Sequence, residues 1–214
     1  MASAIEAQRI AGLIQAGVSV EDRVFDSLIS QPAQGSPYVV NWTPVEVAFK
    51  VACWINSRAI ETLVDIGAGP GKLCIIGALT SYCRFVGVEQ SPARVRDARR
   101  LASAFQVADR VRFVESSIRQ SGIPLAQAYY LFNPFEEHLY ESTPDPMAAV
   151  KSVRDFALDV SYVERFLGEA PRGTYVIKYN GFGGRMPRAY DMICSDYSTD
   201  CSLRLWCKTR DKGT

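Results

Sequence analysis

The chain has 214 residues, 48% of them hydrophobic and 22% charged, with a formal net charge of +1 at pH 7 and a single histidine, His138. That composition is ordinary for a soluble protein with one sizeable core, and it carries no global charge bias toward nucleic acid or a membrane surface. No apolar run reaches the ~20 residues of a membrane span, and the six cysteines form no CxxC pair, which argues against a zinc site and for reduced thiols in a cytoplasmic protein.

The opening MASAIEAQRIAGLIQAG carries an acid early and has no signal-peptide core. Ala7, Ile10, Ala11 and Ile14 are spaced for one face of a first helix, which Gly17 ends. Ser19 with Asp22 predicts a capping box for a second helix carrying Val24, Phe25 and Leu28. Gln31 to Asn41, QPAQGSPYVVN, is the candidate linker. Thr43-Pro44-Val45-Glu46 predicts a helix start with Thr43 as cap and Pro44 in the first helical position; Val47, Ala48, Val51, Ala52 and Ile55 follow as a buried stripe. A first strand, Glu61 to Ile66, runs into the turn Gly67-Ala68-Gly69-Pro70-Gly71, and a helix follows from Leu73 to Leu79.

Phe85 to Glu89 is the second strand, and Ser91-Pro92 starts a helix with the apolar face Val95, Ala98, Leu101 and Ala102. Arg94, Arg96, Arg99 and Arg100 on that helix are interrupted by Asp97 and read as a solvated face rather than a nucleic-acid patch. Val111 to Val114 is the third strand; Ala128 to Phe132 is the fourth and ends in Asn133-Pro134-Phe135. One or two helices occupy roughly Asp145 to Leu167, and Thr174 to Tyr179 is the fifth strand. Gly181-Phe182-Gly183-Gly184-Arg185 could grip a phosphate but reads rather as a mobile loop beside the site, shaping the acceptor entrance. Tyr190 to Cys194 and Ser202 to Lys208 form a last hairpin, in which Leu203, Leu205 and Cys207 alternate with Arg204, Trp206 and Lys208.

Strands alternating with helices imply a mostly parallel sheet with right-handed crossovers, and ligands bind such sheets at the carboxyl ends of the strands. Those ends carry Gly67-Ala68-Gly69, Glu89, Ser116-Ser117, Asn133-Pro134-Phe135 and Tyr179-Asn180-Gly181. Glycine lets backbone approach a ligand closely and a helix N-terminus favours anionic groups, so a nucleotide-like cofactor is expected. The spacing is G-x-G-x-G, with Lys72 where a dinucleotide fingerprint has its third glycine. Asp65, just before the first glycine, would repel a pyrophosphate but suits a cationic cofactor end such as an ammonium. Glu89 could accept hydrogen bonds from both hydroxyls of a ribose.

At this point the sequence resembles the class I S-adenosylmethionine-dependent methyltransferases: Val64-Asp65-Ile66-Gly67-Ala68-Gly69-Pro70-Gly71 looks like their first motif and Val86-Gly87-Val88-Glu89 like their second. The resemblance implies a Rossmann-like α/β fold: a seven-stranded, mostly parallel sheet with an antiparallel last hairpin. It divides the chain into an N-terminal helical extension or lid, residues 1–42, and a methyltransferase domain, residues 43–214. The implied cofactor is S-adenosyl-L-methionine, held by Asp65, Gly67, Ala68, Gly69, Glu89, Gln90, Ser117, Ile118, Asn133 and Thr43. Ser117 stands where the family often has an acid for the adenine amino group, and a serine hydroxyl can accept the same bond.

Leu131-Phe132-Asn133-Pro134-Phe135 is similar to the family's N-P-P-Y/F acceptor motif, one proline short. With Trp42-Thr43-Pro44 and Tyr179-Asn180-Gly181 it looks more like bacterial relatives of the lysine methyltransferases that lack a SET domain. The implied catalytic residues are Asn133, Pro134 and Phe135, which would orient an amine for in-line attack on the methyl group without a metal. The implied partner is an amine-bearing protein, through lysine, or an amine-bearing small molecule; nucleic acid is not the expected acceptor. Other readings stay open: O- or C-methylation of a small molecule, a non-catalytic cofactor-binding module, and an aminopropyl transferase, whose carboxylate pair is not evident. Blander roles also stand beside the sharp ones. Asn133-Pro134 could merely end a strand, Glu136 and Glu137 could be a solvated helix start, His138 could pack, and Tyr38 and Trp42 could cover the cofactor or only fill the core.

Overall fold

A computed structural model describes residues 4–30, 42–135, 146–198 and 202–211. Seven strands form one sheet in the order β3-β2-β1-β4-β5-β7-β6. They are β1 (Thr62–Ile66), β2 (Arg84–Glu89), β3 (Val111–Glu115), β4 (Ala128–Leu131), β5 (Tyr175–Tyr179), β6 (Tyr190–Asp196) and β7 (Leu203–Lys208). The first five run parallel; β7 is antiparallel to both β5 and β6. The expected mostly parallel sheet with a reversed hairpin is therefore present.

Helices alternate with the strands: α1 (Ala4–Gln15), α2 (Asp22–Asp26), α3 (Val45–Asn56), α4 (Lys72–Thr80), α5 (Pro92–Ala104), α6 (Ile118–Ser121) and α7 (Pro146–Glu169). The single helix α7 spans the region expected to hold one or two helices. The short α6 has no counterpart in the sequence reading, because a single helical turn is too brief to show a period.

The apolar positions sort the chain into two layers. One cluster joins the buried stripes of α1, α3, α4 and α5 to Leu63, Phe85 and Phe113 of the sheet. The other puts Val163 and Leu167 of α7 against Val64, Tyr129 and Val176 on the opposite face. Helix α4 is buried along most of its length, which explains why Leu73 to Leu79 reads as a continuous apolar run. Among the described residues, no helix is long and apolar enough to cross a membrane. Cys53, Cys74, Cys83, Cys194 and Cys207 are unpaired thiols; Cys201 lies outside the described residues.

Several local readings are corrected by tertiary contacts. Thr43 does not cap α3: Pro44 is the N-cap, and the Thr43 hydroxyl shares a hydrogen bond of 3.1 Å with the Tyr130 hydroxyl. The donor of Val45 is capped from another element, by the Asp22 carboxylate at 2.8 Å. Nor does Asp22 take part in a capping box, since Glu21 is the N-cap of α2. Two of the arginines on α5 serve as tethers rather than a purely solvated face: Arg99 donates to the Phe113 carbonyl and Arg100 to that of Leu28. Asp97 accepts from Ser30 in the same region. The stretch after β5 is anchored rather than loose, with Phe182 buried and the Arg185 amide donating to Glu164.

Candidate functional site

The carboxyl ends of β1 to β5 lie along one edge of the sheet, because the register pairs Ile66 with Val88 and with Leu131, and Leu131 with Lys178. The chain leaves β1 through Gly67, Gly69 and Gly71, all with positive φ. Two of these positions require glycine for separate reasons. A Cβ on Gly67 would lie 2.8 Å from the Cβ of Pro134, so Pro134 packs directly on the turn. A Cβ on Gly71 would lie 2.4 Å from the Phe113 ring.

The Gly67 and Ala68 amides both donate to the Val88 carbonyl, which folds the turn over the end of β2. Glu89 completes the link. It is 6% exposed, and its two carboxylate oxygens accept from the amides of Gly69 (2.9 Å) and Ser91 (2.8 Å). Each oxygen keeps a further lone pair, so the side chain can still receive hydroxyl donors. Glu89 thus positions the glycine turn as well as facing the cavity beside it, a double role that its place at a strand end does not reveal.

Asp65 is 4% exposed at the base of the turn. Burial pushes its carboxyl up to about 7; the thiol of Cys74, at 3.6 Å, pulls the other way and the nearby Glu89 charge adds to the rise. A buried acid with that proton affinity is matched to a cation arriving beside it, because an ammonium group would restore the ionised form.

Two cavities flank the turn and share Gly67. Glu89, Gln90, Ser117, Ile118, Pro134 and Phe135 line the first. Thr43, Asp65, Ala68 and Gly69 line the second, with Trp42 and Phe132. The structure therefore brings the sequence-predicted residues together on both sides of one turn, except Asn133, which lines neither cavity. Asn133 sits between Phe132, on the second cavity, and Pro134, on the first. Its backbone is left-handed, with φ of 42°, and its amide donates to the Gly181 carbonyl at 2.9 Å, which ties the end of β4 to the loop after β5. Phe135 is buried in the core cluster of α7 and faces the first cavity; Phe132, tilted against Tyr179 at a centroid distance of 4.7 Å, is the ring on the Asp65 side.

Four residues of the site escaped the sequence reading in this role. Asp159, a buried acid of α7, enters the first cavity while paired to Arg119 at 2.6 Å. Tyr130 reaches the second through β4, its phenol pushed well up by burial. Lys72 and Arg94 bring two cations to the second cavity. No local pattern marks Asp159, since it is distant in sequence; Arg94 carried a signal, its closeness to Glu89 on the first turn of α5. His138, Glu136, Glu137 and Tyr38 lie outside the described residues.

No protein-family model matches the chain. No curated protein sequence matches it either. Solved structures do. An RNA methyltransferase from Salinibacter ruber, in complex with S-adenosyl-L-homocysteine, superposes with a TM-score of 0.56 at 21% identity, over 79% of this chain and 94% of that one. The delta-N METTL16 methyltransferase domain gives 0.56 at 12% identity, over 97% and 98% of the two chains. A putative O-methyltransferase from Klebsiella pneumoniae gives 0.55 at 12% identity, over 96% and 99%. With the strand order above, these likenesses show that the chain has the Rossmann-like class I methyltransferase fold.

Proposed function

We propose that the protein is an S-adenosyl-L-methionine-dependent methyltransferase that acts on an amine, either a protein lysine or another amino group. The observation that carries the cofactor assignment is the buried carboxyl of Asp65, raised to about 7, under a left-handed glycine turn with Glu89 on its far side. That arrangement fits a ligand with an ammonium at one end and a ribose in the middle. Ser117, Ile118, Gln90 and Phe135 would then enclose the base, and Thr43, Ala68 and Gly69 the amino-acid end. When bound, the cofactor supplies a methyl group activated by its sulfonium.

The chain's own contribution is orientation and exclusion of water. The Asn133 backbone is fixed between the two cavities by the hydrogen bond from its N–H to the Gly181 carbonyl, and Pro134 by its packing on Gly67. From there the Asn133 side chain and the carbonyl that follows it would accept the amine's hydrogens and aim its lone pair at the methyl. Phe132, Trp42 and Tyr130 wall the same cavity. Residues 1–42 act in this reading as a helical extension of the 43–214 unit, supported by the packing of α1 on α4 and α5. The cysteine spacing favours a reducing, cytoplasmic setting.

Two measurements test the reading. Asn133→Ala is expected to lower kcat about a hundredfold, the scale of a misplaced reacting group, with little change in cofactor affinity. Equal losses in both would remove Asn133 from acceptor orientation. Glu89→Gln, which replaces one of the two oxygens that hold the Gly69 and Ser91 amides, is expected to weaken S-adenosyl-L-homocysteine binding by about 2 kcal/mol, the scale of a lost bond to a charged acceptor, with a thermal melt of the unliganded variant reporting any loosening of the turn. Unchanged affinity by calorimetry would remove Glu89 from the ribose. The likeness to an RNA methyltransferase supports a second reading, with the amine on a nucleobase. A methylation screen that sets lysine peptides beside RNA separates the two.

A further inference from the structure

Arg94 stands in the first turn of α5, half-buried, and lines the same cavity as Asp65. Its Nη1 lies 3.9 Å from the position a Cβ would take on Gly69, and that position is 4.0 Å from Cδ1 of the Trp42 ring. Arg94 makes no hydrogen bond or ion pair to any of the described residues. The other cation of the cavity, Lys72, is committed to Asp22 and Asp26, each at 2.6 Å. The neighbouring Arg99 and Arg100 are bound to backbone carbonyls. Among the described residues one guanidinium is thus left uncommitted beside the glycine turn, in the same cavity as the buried carboxyl of Asp65.

Resting on the proposed cofactor, we propose that Arg94 is a specificity-determining residue: its guanidinium receives the α-carboxylate of the methionyl end, while Asp65 receives the α-ammonium. The two side chains then form a matched pair for a zwitterion, one charge for each end. The planar fork of arginine suits a carboxylate in two-point contact, and a site screened by Trp42 strengthens it relative to open water. The base and the ribose are neutral and the cavity expected to take them is lined by the acids Glu89 and Asp159 and, among the described residues, by no cation, so the α-carboxylate is the anion that the ligand offers to Arg94. A consequence is that the decarboxylated cofactor, the donor for aminopropyl transfer, is a poor ligand. This separates the protein from that use of the fold.

The test is calorimetry on the full chain and on Arg94→Ala and Arg94→Lys. The ligands are S-adenosyl-L-methionine, its decarboxylated form and 5′-methylthioadenosine, which lacks the amino-acid end. Wild type is expected to bind S-adenosyl-L-methionine at least tenfold tighter than the decarboxylated form. Arg94→Ala is expected to weaken the first by about ten- to hundredfold and leave the other two within about twofold; Arg94→Lys recovers part of the loss. A parallel loss for all three ligands would mean that Arg94 only supports the fold, and would overturn the proposal. Unchanged S-adenosyl-L-methionine affinity with impaired acceptor binding would overturn it too, placing Arg94 on the acceptor. Wild type binding none of the three would instead overturn the cofactor reading, and this inference with it.

Discussion

Affinity for S-adenosyl-L-homocysteine is expected to rise about tenfold per pH unit from pH 5.5 toward 7 and to flatten near 7.5. The cause is Asp65. Buried at 4% exposure, it holds its proton up to about 7, whereas an ammonium ligand needs the carboxylate ionised. Below pH 7 the ligand must first expel that proton, and each unit adds about 1.4 kcal/mol. The stability of the unliganded protein moves the opposite way. The folded carboxyl titrates above its ordinary 3.8, so the folded state holds the proton that the unfolded chain has lost. The contribution of Asp65 to that stability is therefore full below about pH 4 and is lost as pH rises through 7, by about 4 kcal/mol in all. Asp65→Asn removes the ionisation. At pH 8 that variant should melt several degrees higher than wild type without ligand and show no ligand-induced rise, a binding group held at the expense of stability. Calorimetry across pH 5.5 to 7.5, with thermal melts of both proteins, decides it. A flat affinity profile for wild type, or a variant that still binds, would place the cationic end of the ligand elsewhere.

What the sequence showed plainly was what depends on near neighbours. The first strand, the glycine turn, the helix that follows and the second strand are contiguous, so their periodicity and turn chemistry sufficed to place Asp65, Gly67 and Glu89 at one edge. The strand-end rule then gathered Ser117 and Asn133 to the same edge without any knowledge of their contacts. Polar side chains with partners far along the chain were harder. Thr43 looks like a cap because a Thr-Pro-x-Glu run has that local logic, yet its hydroxyl meets Tyr130 of β4. The cap of α3 comes instead from Asp22, which no windowed pattern can supply. Phe132 and Phe135 bracket Asn133 in sequence, but the left-handed turn at Asn133 sends them to different cavities. The arginines of α5 read as one solvated face because helical projection alone does not say which end abuts the turn.

Replacing Lys72 is expected to lower stability by about 3 kcal/mol, and so the melting temperature by roughly 6–12 °C for a chain of this size. In sequence, Lys72 mattered only as the residue that breaks the dinucleotide spacing. In the fold it is 2% exposed at the first position of α4, where a positive charge opposes the helix dipole. Two carboxylates offset that, Asp22 and Asp26, each 2.6 Å from its ammonium, and the Phe25 ring lies below it at 5.5 Å. Because Asp22 also caps Val45, one cluster binds α2, the start of α3 and the helix that follows the glycine turn. Lys72→Met removes the cation and leaves two facing carboxylates; Asp22 is half-exposed and can rehydrate, which holds the loss near the lower end of the range for broken buried pairs. Adding Asp22→Asn and Asp26→Asn should recover most of the melting temperature, since asparagine still accepts from Val45 and no charge remains to pair. The same clasp borders the Asp65 cavity, so Lys72→Met should also weaken S-adenosyl-L-homocysteine binding, and the triple variant should regain it. Recovery of stability without recovery of binding would show that Lys72 itself meets the ligand. No loss of stability in the single variant would show that the N-terminal helices are held by their apolar faces alone.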